Sequence, residues 1–478
     1  MTTSEPNAVT NLAQVRLVPG QPLLMFASYD LAELGLGSEE FFVSGTAHAF
    51  FAPEDALSVD GRWSVLPDAE APFETRIVVL RPVRPERFSG TVIVEWLNVS
   101  AGMDAAPDWL MSHREIARSG HAYVAVSCQR VGIEGGPSMG QDMSLKTLNG
   151  ARYASLNHPG DAFSYDIFTQ VARLLRSPDA SGLLGSLRPQ HILAVGESQS
   201  AAYLVTYINA VDPIAQAFDG YLVHSRGATV ARLSGQSLFV GERLQGVRLR
   251  SDLRVPTIVV QTETDLLALG GLAVRQPDSD RLRTWEIAGT AHADNYLLAA
   301  GMIDSGNASP EILAAAFEPV DNLMGTQLSR PVNFAAQHHY VTQTALHRLN
   351  AWVIAGTAPP VAPLLGTDPA DPLQLARDAD GIALGGIRTP WCDVPTACST
   401  GVGEAGTMSL LFGSSVRFDP DKLAERYPLG EAQYLTQFAS SLEMTIKAGF
   451  ILSADREEIM GLAKFGFRSA LSAARTDR

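Results

Sequence analysis

The chain has 478 residues, of which 46% are hydrophobic and 18% are charged, a composition typical of a globular protein with a large core. Its formal net charge of −15 argues against nucleic acid or an anionic membrane surface as a partner, because both bind basic patches. We expect no membrane span, because no apolar run approaches the roughly 18 residues that a spanning helix needs. The N-terminus carries no signal-peptide pattern, which favours a cytoplasmic protein.

The three cysteines, Cys128, Cys392 and Cys398, are too few for a disulfide framework. Cys392 and Cys398 are close enough in sequence to pair, but free thiols are expected in a reducing compartment. The sequence contains no spacing of residues typical of a metal site, and no glycine-rich loop typical of a dinucleotide-binding or phosphate-binding site. We therefore expect neither a metal ion nor another cofactor.

Runs of β-branched and aromatic residues alternate with amphipathic segments after a lead-in over residues 1–35, in which we expect one or two strands. The runs that favour strands are 40–50, 75–80, 91–94, 122–126, 192–195, 220–224, 257–260 and 284–287. The segments that favour helices are 109–119, 161–175 and 336–355. This alternation predicts an α/β fold with a mostly parallel central sheet and helices on both faces.

The chain continues well beyond the helix that ends at Gly356. We expect residues 1–361 to form the core, with an insertion at about 301–330 near the pocket, and residues 362–478 to form a C-terminal extension. Helices are predicted in the extension near 419–426, 430–448 and 455–462. Because no flexible linker precedes the extension, we expect it to pack on the same domain, as a lid, a docking surface or an extra layer.

A serine lies between the predicted 192–195 strand and a helix-like segment, in the sequence Gly196-Glu-Ser-Gln-Ser200. Such a nucleophile elbow needs small residues two positions before and two after the serine, because larger side chains would strike the neighbouring backbone. Gly196 meets this demand, and Ser200 stands where glycine is usual. The motif alone is frequent by chance, so the assignment of Ser198 as a nucleophile depends on its partners.

A serine nucleophile needs a base, and the base needs an anion that holds its tautomer. His292 lies in a loop of small residues directly after the predicted 284–287 strand. Glu263 and Asp265 both follow the 257–260 strand. The position in the turn favours Asp265 as the acid, and Glu263 stays an alternative.

The chain resembles a serine hydrolase of the α/β-hydrolase superfamily, in which serine, acid and histidine follow in this order. More narrowly it is similar to bacterial alpha/beta hydrolase domain proteins from about Glu40 to the C-terminus. The segments that carry the resemblance are VEWLNVS (94–100), GESQSA (196–201), QTETD (261–265), GTAHAD (289–294) and GGIRTP (385–390). The resemblance implies the α/β-hydrolase fold and a triad of Ser198, Asp265 (or Glu263) and His292.

An oxyanion hole is expected from two backbone N–H groups. One would come from Gln199, directly after the nucleophile. The other would come from the loop after the 91–94 strand, where many relatives have His-Gly and this chain has Glu95-Trp-Leu-Asn98. We expect the second donor at Leu97 or Asn98.

Several other polar residues follow predicted strands, and each has a structural alternative. Glu197 could organise the elbow or be a polar spacer. Residues 224–226 could line the pocket, and Asp294 could orient the histidine loop. Because the GGIRTP motif lies in a predicted loop, we expect residues 385–390 to contribute to the active site.

These residues predict an esterase that cleaves a small-molecule carboxylic ester through an acyl-enzyme intermediate. The alternatives are an acyltransferase or a lactone or amide hydrolase with the same triad, or a catalytically inactive binding protein of this fold. The sequence does not define the acyl or alcohol group of the substrate. It does not define the oligomeric state either, and it is compatible with a homo-oligomer.

Overall fold

The computed structural model describes residues 13–53, 57–177, 182–241, 243–323, 325–406 and 409–476. Residues 1–12, in which no signal peptide is expected, lie outside these ranges. Among the helices of the described ranges, none combines the length and the apolar character that crossing a membrane requires. The three cysteines are free thiols.

A nine-stranded sheet forms the centre of the molecule. Its strands are β1 (Gln14–Val18), β2 (Leu36–Phe51), β3 (Leu66–Pro82), β4 (Thr91–Trp96), β5 (Ala122–Val126), β6 (His191–Glu197), β7 (Gly220–His224), β8 (Thr257–Thr262) and β9 (Leu282–Ile287). Their order across the sheet is β1-β2-β3-β5-β4-β6-β7-β8-β9. The pairs β1–β2, β2–β3 and β3–β5 are antiparallel, and all pairs from β5 to β9 are parallel. The predicted mostly parallel sheet is confirmed.

The longer helices are α1 (Pro107–Arg118), α2 (Ser164–Arg176), α3 (Gln199–Thr206), α4 (His338–Ala355), α5 (Glu431–Ala448) and α6 (Arg456–Thr476). Shorter helical segments are Leu31–Leu34, Pro85–Arg87, Arg130–Glu134, Leu145–Leu148, Asp161–Phe163, Tyr207–Val211, Asp212–Ala215, Glu263–Leu267, Gly271–Val274, Tyr296–Ala300, Gly301–Ile303, Pro310–Ala316, Pro390–Asp393, Ser409–Phe412, Pro420–Arg426 and Ser453–Asp455. Short antiparallel pairs join Thr229–Val230 to Leu244–Gln245, Asn322–Leu323 to Thr326–Gln327, and Ala397–Thr400 to Ser414–Arg417.

The central strands are buried on both faces, which explains their continuous apolar sequences. Successive side chains of a strand point to opposite faces of the sheet. In β4, Val92 and Val94 accordingly belong to one apolar cluster, with residues of α2 and α3, and Ile93 belongs to another, with residues of α1 and α4. Helices therefore cover both faces of the sheet, as predicted.

Helices α5 and α6 of the C-terminal extension build a third apolar cluster, which also contains Tyr340 of α4. Helix α6 is longer than predicted, because its apolar face continues past Leu462 to Phe467 and Ala470. Polar contacts add to this packing: the buried carboxylate of Asp455 accepts hydrogen bonds from Arg118 of α1 and Gln343 of α4.

The GGIRTP segment forms a single parallel β-bridge to the end of β9, between Ile387 and Ile287, and it contributes no lining residue to the cavity at Ser198 described below. Ile387 N–H donates to Glu286 O at 2.7 Å, and Ala288 N–H donates to Ile387 O at 3.1 Å. Gly386 has a φ of +64°, and a Cβ at this position would lie 2.8 Å from Glu286 O, so the close approach requires glycine. The segment therefore supports the start of the His292 loop.

We expect Phe438→Ala to lower the free energy of unfolding by about 3–5 kcal/mol, because it removes a fully buried aromatic ring from the third cluster. Urea unfolding followed by circular dichroism and by Trp fluorescence measures this change. Since the cluster includes Tyr340 of α4, both probes should report the same single transition.

Met444→Ala on the same helix is the matched control, because Met444 is 63% exposed and its replacement should change stability by less than about 0.5 kcal/mol. An early transition in which only the extension unfolds would contradict the expectation that residues 362–478 belong to the same folding unit.

Candidate active site

Ser198 lies between the end of β6 and the start of α3 with φ 58° and ψ −115°, a strained conformation for a residue with a side chain. A Cβ on Gly196 would lie 3.3 Å from the backbone of Ser200, so the turn is tight at this position. The Ser200 hydroxyl donates to Glu197 O at 2.8 Å and accepts from Glu197 N–H at 3.0 Å. Serine thus replaces the usual glycine here and also closes the turn.

The structure brings the predicted Ser198, His292 and Asp265 into one hydrogen-bonded chain. Ser198 Oγ lies 2.7 Å from His292 Nε2, and His292 Nδ1 lies 2.5 Å from Asp265 Oδ1. The Asp265 carboxylate also accepts from Thr262 N–H at 2.7 Å, because Thr262 and Asp265 form the capping box of the Glu263–Leu267 helix. A proton on Nδ1 that is held by the carboxylate leaves Nε2 free to accept the serine proton.

Glu263, the alternative acid, has other partners among the described residues. Its Oε1 accepts from Gly289 N–H at 2.7 Å. Its Oε2 accepts from three groups of the C-terminal extension at 2.9–3.1 Å, which are Arg377 Nη2, Thr400 Oγ1 and Gly401 N–H. Glu263 therefore joins the histidine loop to the extension, and the contact to His292 belongs to Asp265.

The expected oxyanion donors differ in what their N–H groups contact. Gln199 is the first residue of α3, so its N–H has no intrahelical partner. By contrast, Leu97 N–H donates to Val126 O at 3.2 Å, and Asn98 N–H donates to Ala105 O at 2.9 Å. In this structure, neighbouring strand and loop carbonyls therefore take the N–H groups of Leu97 and Asn98, the two residues expected to supply the second donor.

A cavity of about 410 Å³ opens beside Ser198, within the size range of small-molecule sites. Its wall is mostly apolar and includes Met139, Leu238 and Phe239. Ser225, one of the predicted lining residues, contributes, and Leu411 is the lining residue that comes from the C-terminal extension. The described parts of the 301–330 insertion do not line this cavity.

Residues 4–461 match the family model described as "Alpha/beta hydrolase domain". The chain belongs to this family. The predicted resemblance and the predicted α/β-hydrolase fold are thereby confirmed. No curated protein sequence matches the chain.

Solved structures similar to this hydrolase-family chain include three esterases. A ferulic acid esterase from Streptomyces cinnamoneus is 12% identical, with 73% of this chain and 97% of the other covered and a TM-score of 0.32. A glucuronoyl esterase from Solibacter usitatus is 10% identical, with 60% and 82% covered and a TM-score of 0.30. A thermostable esterase from Pseudomonas putida ECU1011 is 12% identical, with 61% and 82% covered and a TM-score of 0.31. Similarities this low do not define a substrate.

Glu197, the residue before the serine, lies with its Oε1 3.2 Å from His292 Nε2. Its other oxygen accepts from the Asn98 side-chain amide at 3.1 Å. Burial raises the pKa of Glu197 to about 7. Burial lowers the pKa of His292, but the charges of Glu197 and Asp265 outweigh this effect and raise it to about 9. Glu197 is therefore more than a polar spacer, since its charge acts directly on His292.

A second buried polar group, which the sequence did not indicate as a unit, lies behind the elbow. His224 Nδ1 lies 2.8 Å from Asp108 Oδ1, and His224 Nε2 lies 2.9 Å from His338 Nε2. Burial lowers the pKa of His224 to about 4 and raises that of Asp108 to about 8. The backbone of His224 accepts the Ser198 N–H at 2.9 Å, so this group supports the elbow and does not line the cavity.

Asp294, predicted to orient the histidine loop, accepts from Tyr296 N–H at 3.0 Å and from Leu297 N–H at 3.2 Å. Its carboxylate thus caps the Tyr296–Ala300 helical turn that follows the loop. Asp294 therefore fixes the end of the His292 loop through backbone contacts, and within the described residues it forms no hydrogen bond or ion pair with the His292 ring.

Among the described residues, Asp304, His339 and Glu458 have potential metal-ligand atoms within 4.8 Å of one another. However, the Arg114 guanidinium forms ion pairs with both carboxylates. Tyr296 OH and Tyr340 OH donate to their remaining oxygens at 2.9 and 2.6 Å. A cationic side chain thus already occupies the position that a metal ion would take.

We expect Asp265→Asn and Glu263→Gln to have different effects. D265N removes the charge that holds His292, so kcat on an aryl ester should fall by about 10,000-fold with little change in stability. E263Q breaks a buried ion pair with Arg377, so it should lower the free energy of unfolding by about 3 kcal/mol. Steady-state kinetics and urea unfolding of both variants measure the two effects. A large loss of kcat in a folded E263Q enzyme, with D265N active, would reverse the assignment.

We expect kcat/KM to rise with pH up to about 9, because the serine proton can pass only to neutral His292. Glu197→Gln removes a negative charge that favours protonated His292, so the pKa of His292 should fall. The acidic limb of the profile should therefore move to lower pH by about 1 unit. Glu86→Gln, at an exposed position, is the control. If Glu197→Gln lowers kcat but the acidic limb of the pH profile stays at the same pH, Glu197 has only a structural role.

Proposed function

We propose that this chain is a carboxylic ester hydrolase in which Ser198 is the nucleophile. The observation that carries the proposal is the hydrogen-bonded chain from Asp265 through His292 to Ser198, with Ser198 on the wall of an apolar cavity. Membership in the alpha/beta hydrolase domain family supports the same reading. The strained elbow also favours it, because backbone strain concentrates at functional sites.

Acylation would begin when His292 Nε2 takes the proton of Ser198 and Oγ attacks the carbonyl carbon of the ester. The tetrahedral intermediate would collapse as protonated His292 gives this proton to the leaving alcohol oxygen. Water would then attack the acyl-serine, with His292 again as base, and collapse would return the proton to Ser198 and release the acid. Asp265, and Glu197 beside it, would stabilise the charge on His292 during each step.

For the oxyanion we propose Gln199 N–H and Val99 N–H as donors. Val99 directly follows the expected pair, and its N–H donates to the Gln199 side-chain oxygen at 3.3 Å, a longer contact than those of Leu97 and Asn98. When a substrate binds, the hydrogen bond from Val99 N–H to the Gln199 side chain would break, and Val99 N–H would donate to the oxyanion. The Gln199 side chain would keep its other contact, in which Nε2 donates to Gln129 at 2.9 Å. The start of α3 adds a favourable dipole at the same place.

We expect Ser198→Ala to lower kcat on a 4-nitrophenyl ester by at least about 10,000-fold, because no nucleophile remains. Labelling with a fluorophosphonate probe, followed by mass spectrometry, should modify Ser198 in the wild type and no residue in S198A.

Ser186→Ala, which removes an exposed hydroxyl outside the cavity, should leave both readouts unchanged. An S198A enzyme that retains turnover would refute the proposal, and absence of both labelling and turnover in the wild type would support a binding protein. A methyl ester product in the presence of methanol would indicate acyl transfer in place of strict hydrolysis.

A further inference from the structure

The cavity beside Ser198 has an apolar wall and one strongly basic position. Arg243 is the charged side chain among its described lining residues, which include no Asp and no Glu. This lining differs in charge from the chain as a whole, in which 51 acidic residues outnumber 36 Lys and Arg residues. The local charge of the cavity is therefore opposite to the net charge of the protein.

Arg243 is exposed and has no hydrogen bond or ion pair with any residue of the described part of the chain. Several other arginines of this protein are paired with carboxylates, as Arg275 is with Glu286 and Arg254 with Asp212. A guanidinium without a partner at the wall of a cavity can pair with a carboxylate in a bidentate geometry. Within the described part of the chain, Arg243 thus offers an unpaired guanidinium at the cavity wall that can bind an anion.

A second positive charge lies behind the same wall. Arg226 is buried, and its guanidinium donates to the carbonyl oxygens of Gly227 at 3.2 Å and Val247 at 2.7 Å. Within the described ranges it forms no ion pair with a carboxylate. Burial lowers its pKa to about 10, so it stays charged at neutral pH. Because Gly227 and Ser225 line the cavity, this uncompensated charge adds to the positive potential there.

We propose, on the basis of the hydrolase function above, that the natural substrate is an ester whose cavity-bound part is an apolar group ending in a carboxylate. The apolar part would pack against Leu238 and Phe239, and the carboxylate would pair with Arg243. Arg243 is then a specificity-determining residue, and it distinguishes anionic from neutral esters of equal length.

The test compares length-matched esters with and without a terminal carboxylate. On the acyl side, mono-4-nitrophenyl esters of C4 to C8 dicarboxylic acids are paired with 4-nitrophenyl esters of the corresponding monocarboxylic acids. On the alcohol side, 4-acetoxybenzoate is paired with its methyl ester. The wild type should prefer the anionic member in one of these series by about tenfold in kcat/KM, mainly through KM, and added salt should reduce this preference.

Arg243→Gln should lower kcat/KM for the preferred anionic ester about tenfold and leave its neutral counterpart within about twofold. Arg248→Gln removes an exposed arginine that does not line the cavity, so it should change neither ester. Arg243→Lys keeps the charge and should retain part of the preference.

Two results would overturn the proposal: no anionic preference of the wild type in either series, or an equal effect of R243Q on both members of a pair. If the enzyme still hydrolyses neutral esters and this activity requires Ser198, the proposed hydrolase function is retained although the substrate proposal fails. If neither kind of ester is hydrolysed and Ser198 is not labelled by a fluorophosphonate, the proposed function fails, and the substrate proposal fails with it.

Discussion

The backbone conformation of Ser198 is the constraint on which the candidate active site depends. A positive φ at a residue with a side chain costs on the order of 1–3 kcal/mol, so the surrounding structure has to hold it. Ser198 N–H donates to His224 O of β7, and Ala202 N–H donates to Ser198 O. Since β6 and β7 are neighbouring central strands, the sheet itself holds the serine, and the side chain is directed past the strand ends toward His292.

The short helix Glu263–Leu267 gives two carboxylates two different tasks. Residues two apart on a helix point in directions roughly 200° apart, because each residue turns the helix by about 100°. Asp265 therefore reaches His292, and Glu263 reaches Gly289 and residues of the C-terminal extension. The same turn thus orients the His292 ring and anchors its loop, so the C-terminal extension helps to support the candidate active site.

Much of the fold could be predicted from the sequence, because the central strands are apolar on both faces. The bounds of β5 and β7 agree with the prediction, whereas β3 begins at Leu66, well before the predicted 75, since its first half is largely exposed and lacks the apolar pattern. The partners of Ser198 were also predictable, since each follows a strand end. Which N–H groups of the loop after β4 are already bonded was not predictable, because it depends on carbonyls distant in sequence, such as Val126 O.

The charges around Ser198 are divided between the two sides of the reacting group. Glu197 and Asp265 lie on the histidine side, where their charges outweigh the effect of burial, raise the pKa of His292 and so favour its protonated form. Arg243 lines the cavity and Arg226 lies behind its wall, so both would stabilise the negative charge of the proposed anionic ester and of its oxyanion. Charges that are already in place before a substrate binds would need no rearrangement during the proposed reaction. The acidic surface of the protein and the basic wall of its cavity are therefore compatible, because the potential inside the cavity depends mainly on the charges nearest to it, whereas more distant surface charges are screened.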